Sequence, residues 1–339
     1  MAYPSSPAAG APFTDTGALS NLIKVAYDQR LSMEFSAETI LRSFADKKVI
    51  NQTQPGAEVI FSIHKKMTVN KTPLNEVVDG NESVLDNPKQ VSVKVNEHGN
   101  YTIYTEALQQ FAFDDALAAN VMSTIKTNQL ETLDALVGDV LIGANIRAAG
   151  TEATTEYRSI VNGKFFNTIA LADAEIAANG VTPLSADALR DAVAELRSDA
   201  VPTWDSAYVA VMHPRVSSKF RAITDAAGWR EANTYVNTTN LINGEVGMFE
   251  GVRIVENPRV PVEEIEGVED IYNTFIFGRE ALAELVSKEP SVIVDGDIVD
   301  PYGRKTAVGW YGILGWNLFR AESLYTVKST LVAVEAPEA

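Results

Sequence analysis

Cysteine is absent from all 339 residues. That single absence removes disulfides, thiolate metal sites, iron–sulfur clusters and cysteine nucleophiles. Histidine is nearly as scarce: His64, His98 and His213 stand far apart, which leaves little material for a histidine-based metal centre. Positive charge is in deficit, with 28 Lys plus Arg against 45 Asp plus Glu and a net charge of −17. A surface built to grip nucleic-acid phosphates or anionic lipid is therefore disfavoured. No run approaches the roughly 18 uncharged apolar residues of a membrane helix. The opening MAYPSSPAAGAPFTDTG lacks the basic start and apolar core of a signal peptide. The expectation is a soluble, cytoplasmic chain with no cofactor, no metal and no membrane partner. What is present is 46% hydrophobic residues, enough for a sizeable core over about two domains' length.

Residues 1 to about 17 carry Pro4, Pro7 and Pro12 among Ala, Ser and Gly, a composition that favours an extended arm. Two helices are expected next, Leu19 to about Leu31 and Ala37 to about Val49, the second with Ser36 as its cap and an apolar stripe of Ile40, Leu41 and Phe44. From Ala57 the period becomes two: Val59, Phe61 and Ile63 share one face, with Ser62, His64 and Lys66 opposite. A second alternating run, Val91, Val93 and Val95 and then Tyr101 and Ile103, is its natural partner. The polar stretch between them, with Pro73, Gly80 and Pro88, is too long for a tight turn, so the pair reads as a long projecting β-arm. Two strands alone are marginal in water, and such an arm is expected to lie on its own domain or on a neighbour.

Phe113 to about Ala148 is the longest helical signal, with Leu117, Val121, Ile125, Leu133, Val137 and Leu141 in steps of four. At about 1.5 Å per residue it would reach roughly 50 Å, weakened near its end by Gly138 and Gly143. Asn162-Gly163 predicts a hairpin turn, and Ser185 predicts the cap of a helix that Pro202 ends. AYVAVMHPRVSSKFRAIT reads as buried strand, turn and short helix. GEVGMFEGVRIVENPRV reads as short strands, and IYNTFIFGREALAELV as a strand followed by a helix. The aromatic end, with Trp310, Tyr311, Trp316, Phe319 and Tyr325, is strand-like and suits core packing more than ligand stacking.

Chemical motifs are few. His213 with Ser217 and Ser218 supplies hydrolase residue types, but no G-x-S-x-G elbow accompanies them, and a strand-to-helix corner is the simpler reading. No phosphate-binding G-x-x-x-x-G-K-[ST] loop occurs. The acidic stretches DGDIVD (295–300) and VEEIEGVED (262–270) lack the ligand spacing of a cation loop and read as charged surface. Lys65, Lys66, Lys71 and Lys89 cluster on the β-arm of this acidic chain. They serve either as edge protection or as contacts docking onto an acidic neighbouring subunit.

The order of elements, with AYDQRLSMEFSAETILRSFADKK, YVAVMHPRVSSKFR, GMFEGVRIVENPRV and GRKTAVGWYGILGWNLFRAESLYTVKST, resembles the tailed-bacteriophage major capsid proteins of the Hong Kong 97 fold. In particular it is similar to the capsid family named after Enterobacteria phage N-four, from about residue 18 to 333. The resemblance implies an α+β fold with an N-terminal arm over 1–50, an E-loop β-hairpin over 51–106 and a peripheral domain with a spine helix over 107–184. An axial domain over 185–300 and a return strand of the peripheral domain with a tail over 301–339 complete it. The implied function is non-enzymatic self-assembly, through hexamers and pentamers, into the icosahedral head shell of the virion, built in the host cytoplasm. The shell would enclose double-stranded DNA without sequence-specific binding. Implied partners are further copies of the chain, a separate scaffolding protein, a portal and a decoration protein. Some relatives join an E-loop lysine to a neighbour's asparagine; Lys65, Lys66 and Lys71 are candidate donors, but no motif selects one and no cross-link is expected. Two rival readings are an encapsulin-like nanocompartment shell and an acidic α/β hydrolase using His213.

Overall fold

Alternating apolar residues make strands the largest share of the described chain, and one long helix lies among them. The computed structural model describes residues 40–49, 58–67, 69, 71, 85–105, 117–223, 245–264, 270–295 and 304–332. The expected arm over 1–17, the helix over Leu19–Leu31 and most of the DGDIVD stretch lie outside the described residues. A 3₁₀ turn, Leu41–Phe44, opens the described chain. There follow β1 (Asp46–Val49), β2 (Glu58–Ile63), β3 (Lys89–Lys94) and β4 (Asn96–Thr105). The helices α1 (Leu117–Leu141) and α2 (Ala144–Ala148) precede the hairpin β5 (Ser159–Val161) and β6 (Lys164–Phe166). Next come α3 (Ile169–Asn179), α4 (Ala186–Ser198), β7 (Tyr208–Met212) and α5 (Pro214–Arg221). The chain ends in β8 (Glu245–Phe249), β9 (Val252–Glu256), β10 (Val262–Glu263), β11 (Ile271–Phe277), β12 (Leu282–Asp295), β13 (Lys305–Leu318) and β14 (Leu324–Ser329).

Three sheets result. The largest runs β6-β5-β14-β11-β7-β9-β8, with β10 beside β11; a second runs β1-β12-β13-β4; β2 and β3 form a two-stranded hairpin. On one face of the large sheet, Leu189, Val193 and Leu196 of α4 and Phe220 of α5 pack over Ala210, Ile254, Ile276 and Val327. On the other face, Val209, Val211, Phe275 and Phe277 share a core with Leu133, Val137 and Leu141 of α1 and with Val308, Trp310 and Leu314 of the four-stranded sheet. The helix α1 therefore takes part in the core common to both sheets.

Local signals explain several boundaries. Ser185 Oγ accepts a hydrogen bond from the Ala188 amide at 3.1 Å and caps α4. Asn162 and Gly163, both at positive φ, close the β5–β6 turn. The long helix ends earlier than expected, because Gly143 adopts φ 75° and splits α2 from α1. The 25 residues of α1 span about 37 Å.

Two expectations are corrected. The helix over Ala37–Val49 is absent across its described part, where a single 3₁₀ turn passes into β1. Leu41 is buried and Phe44 stacks edge-on with Phe277 at 5.2 Å, so tertiary packing holds these apolar residues without a helix. The segment ALAELV is the start of β12, not a helix: it is paired on both sides, by β1 and β13, and buried on both faces, with Leu282 and Val286 toward α1 and Ala283 and Leu285 toward the hairpin. The sheets join distant parts of the chain. β12 pairs along its length with β13, whereas β14 joins β5 and β11 in the large sheet.

Candidate assembly surfaces

The β2–β3 hairpin is a two-stranded sheet of its own beside the two larger ones. Its inward face is apolar: Val93 is fully buried against Ala283 and Leu285, and Phe61 meets Phe319 edge-on at 6.0 Å. Its outward face leaves Ile60 exposed. At its base the chain passes through Val95 from β3 straight into β4, crossing β13 so closely that a Cβ on Gly315 would lie 1.8 Å from the Lys94 carbonyl oxygen. Gly309 and Gly312 are similarly crowded, by Tyr101 and by Pro290. Glycines three apart within one strand were the sequence signal for this close approach.

The four lysines singled out in the sequence divide into two groups. Lys89, at the start of β3, is engaged within its own chain, 3.1 Å from Glu156 and 3.6 Å from Glu322. It ties the far end of the hairpin, where it pairs with Ile63, to the body. Lys65, Lys66 and Lys71 lie beyond the far end of β2 and are exposed; Lys65 faces Asp86 at 3.7 Å.

A second group fixes the root of the N-terminal segment. Asp134 of α1, completely buried, accepts the Arg42 amide at 3.1 Å and the Asn257 side chain at 3.4 Å. Burial pushes its carboxyl above the usual range, and these donors pull the other way. Arg42 reaches on to Glu284 of β12, itself buried. No local sequence signal announces this cluster, because its members come from four separate segments.

A cavity of about 320 Å³ opens beside the hairpin base, lined by Lys94, His98, Asp139, Asn145, Trp316 and Asn317 among others. Burial lowers the His98 pKa and raises that of Asp139. Its polar side chains partly satisfy one another: Asn145 donates to Asn317 at 2.9 Å, and Asn317 to the Ser92 carbonyl at 2.7 Å.

The hydrolase constellation does not form. His213 caps α5, its Nδ1 accepting the Arg215 amide at 3.1 Å, while Ser217 donates to Glu256 at 2.6 Å. The serine's partner is a carboxylate that also meets Arg221. Among the described residues no cluster of His, Asp and Glu could hold a metal ion, and no helix is long and apolar enough to cross a membrane.

A large mixed sheet, a long helix shared with a second sheet, and a two-stranded β-hairpin packed on β12 are the parts of the Hong Kong 97-type capsid fold. A family model described as phage capsid protein matches residues 23–322, and the chain belongs to that family. It is a phage capsid protein, a component of the virion shell. No curated protein sequence matches it. Among solved structures it is similar to the capsid of Ralstonia phage GP4, with 15% identity, a TM-score of 0.67, and 99% of this chain and 100% of that one covered. The acid-stable capsid of Helicobacter pylori bacteriophage KHP30 gives 12% identity, a TM-score of 0.65 and coverage of 96% and 100%. The capsid of cyanophage Pam1 gives 14%, 0.64, and 95% and 100%.

Proposed function

We propose that this chain builds an icosahedral head by assembling through hexamers and pentamers in the host cytoplasm, and that its role is assembly, not turnover. The observation that carries this is the hairpin: a thin two-stranded element with an apolar outward residue and three exposed lysines at its far end, on a chain of net charge −17. Such an element gains by lying across a neighbour, and a hollow shell requires each subunit to bury surface on its neighbours. The unit of α1 and the four-stranded sheet takes the peripheral role, and the unit built on the large sheet takes the axial role around the symmetry axes. Lys65, Lys66 and Lys71 are the inter-subunit contacts of the hairpin, and Lys89, at the same end, also meets Glu156 and Glu322 of its own chain.

The acidic composition suits a container of densely packed double-stranded DNA, because a basic inner wall would bind phosphates and hinder packaging and ejection. A separate scaffolding protein, a portal and a decoration protein complete the partner set. The test is expression of the chain alone and with a scaffolding protein, followed by size-exclusion chromatography and negative-stain electron microscopy. Shells or capsomer rings are the expected result. A compact monomer under every condition would overturn the reading, and closed particles loaded with a host enzyme would replace it with a nanocompartment.

A further inference from the structure

Four residues at alternate positions, Ser92, Lys94, Asn96 and His98, line one wall of the cavity at the hairpin base, so the run from β3 into β4 turns a single face toward it. A second wall is helical: Leu136, Asp139 and Val140 stand at i, i+3 and i+4 on α1. Trp316 and Asn317 of β13 and Asn145 of α2 close the lining. The bonds from Asn145 to Asn317 and from Asn317 to Ser92 use up the amide donors on this side.

The charged groups of the lining are not used in this way. Among the described residues the side chains of Lys94, Asn96 and Asp139 have no ion-pair or hydrogen-bond partner, and Glu58, opposite Lys94 in register on β2, does not bond it. Burial lowers the His98 pKa, so at neutral pH this ring is uncharged and the lining carries one cation and one anion. Burial raises the Asp139 pKa with no donor pulling the other way, in contrast to Asp134. Trp310 donates its indole N–H to Asn128 at 3.1 Å, whereas the buried N–H of Trp316 finds no acceptor among the described residues. Polar groups left unmatched in this way call for a partner from outside the chain.

Such a lining sorts ligands by charge. An anion is repelled by Asp139 and a cation by Lys94, whereas a molecule that carries both charges satisfies both. Leu136, Val140 and Trp316 add apolar surface, and a volume of about 320 Å³ lies at the small end of ligand sites. We propose that this cavity binds a zwitterionic α-amino acid with an apolar side chain, its carboxylate held by Lys94 and Asn96 and its ammonium by Asp139. The site goes beyond the capsid reading and does not depend on how copies associate. Lys94 and Asn96 belong to the hairpin root and Asp139 to α1, so the ligand braces the two together, and the stability of the chain rises with ligand concentration.

L-Leucine is the probe, added to the full-length unassembled chain and followed by calorimetry and by the indole N–H resonance of Trp316, assigned with Trp316→Phe. Leucine should bind, shift that resonance and raise the melting temperature. Isocaproate, which lacks the ammonium, and isoamylamine, which lacks the carboxylate, should each bind about tenfold more weakly or worse. K94M and D139N should weaken leucine binding by a similar factor; both residues are exposed, so the fold should survive, and melts without leucine check that it does. A wild-type chain that fails to bind leucine at about 10 mM overturns the proposal. Isocaproate or isoamylamine binding as well as leucine overturns the zwitterionic ligand. Leucine binding that both K94M and D139N leave unchanged overturns the site.

Discussion

Arg42 donates twice to a single oxygen of Glu284, from Nε at 2.9 Å and from Nη2 at 2.6 Å, across 242 residues of sequence. Glu284 is only 3% exposed, and the same arginine's amide is held by the buried Asp134. The point at which the N-terminal segment meets the body is thus tied to both the long helix and the four-stranded sheet. Lys47 joins Glu289 next to this pair and extends it toward solvent.

Removing one member should leave the other buried and uncompensated, a loss of about 3–5 kcal/mol. R42A should therefore lower the unfolding free energy of the unassembled chain by that order in urea titrations. Exchanging both partners together, Arg42→Met with Glu284→Leu, should recover most of the loss. Equal losses in the single and double variants would show that the pair is not coupled.

Acidification should weaken the fold just below pH 6.5. Burial lowers the pKa of His98, and burial with the nearby Arg215 lowers that of His213. The unfolded chain then binds protons from about pH 6.5 downward while the folded chain does not, so stability falls with pH until the depressed folded values are reached. Thermal melts from pH 7.5 to 5 should show a slope that H98Q and H213N each reduce. An unchanged slope in both variants would assign the effect elsewhere.

Glycines 143 and 150 both sit at positive φ, 75° and 66°, but their surroundings differ. A Cβ on Gly143 would meet Ile169 Cδ1 at 2.6 Å, whereas none of the atoms around Gly150 would lie within 4 Å. Gly150→Ala should cost about 1–2 kcal/mol for the backbone alone. Gly143→Ala should cost more than that, because Ile169 must also move. Matching melting temperatures for the two variants would show that the core beside α2 yields freely.

Gly315→Ala should detach the hairpin before it unfolds the body, since the new methyl group collides with the Lys94 backbone at the crossing. Limited proteolysis should then cut the hairpin while the large sheet keeps its protection in hydrogen exchange. Protection of both at wild-type levels would mean that the crossing relaxes at little cost.

Features set by neighbouring residues were legible in the sequence. The Ser185 cap, the Asn162-Gly163 turn and the alternation in Val59, Phe61 and Ile63 all act within a few residues, and each appears where its chemistry places it. The family was legible as well, from the joint order of four segments. What escaped depends on distant partners. ALAELV has helical propensity, yet strands on both sides and apolar layers on both faces make it a central strand. The stripe of Ile40, Leu41 and Phe44 gave helical spacing, but its burial against α1 and Phe277 needs only a single turn. Likewise Arg42, Asp134, Asn257 and Glu284 carry no shared local pattern, and no local signal links Lys89 to Glu156 and Glu322.

The continuous passage from β3 into β4 also decides how the molecule bears load. A pull on the hairpin along β3 reaches β4 and its ten-residue antiparallel ladder with β13, from Thr105 opposite Lys305 to Asn96 opposite Leu314. Tension along the strand axis loads those bonds in shear, all at once, where a perpendicular pull would open them one by one. The hairpin should therefore resist a pull along β3 far better than one across it.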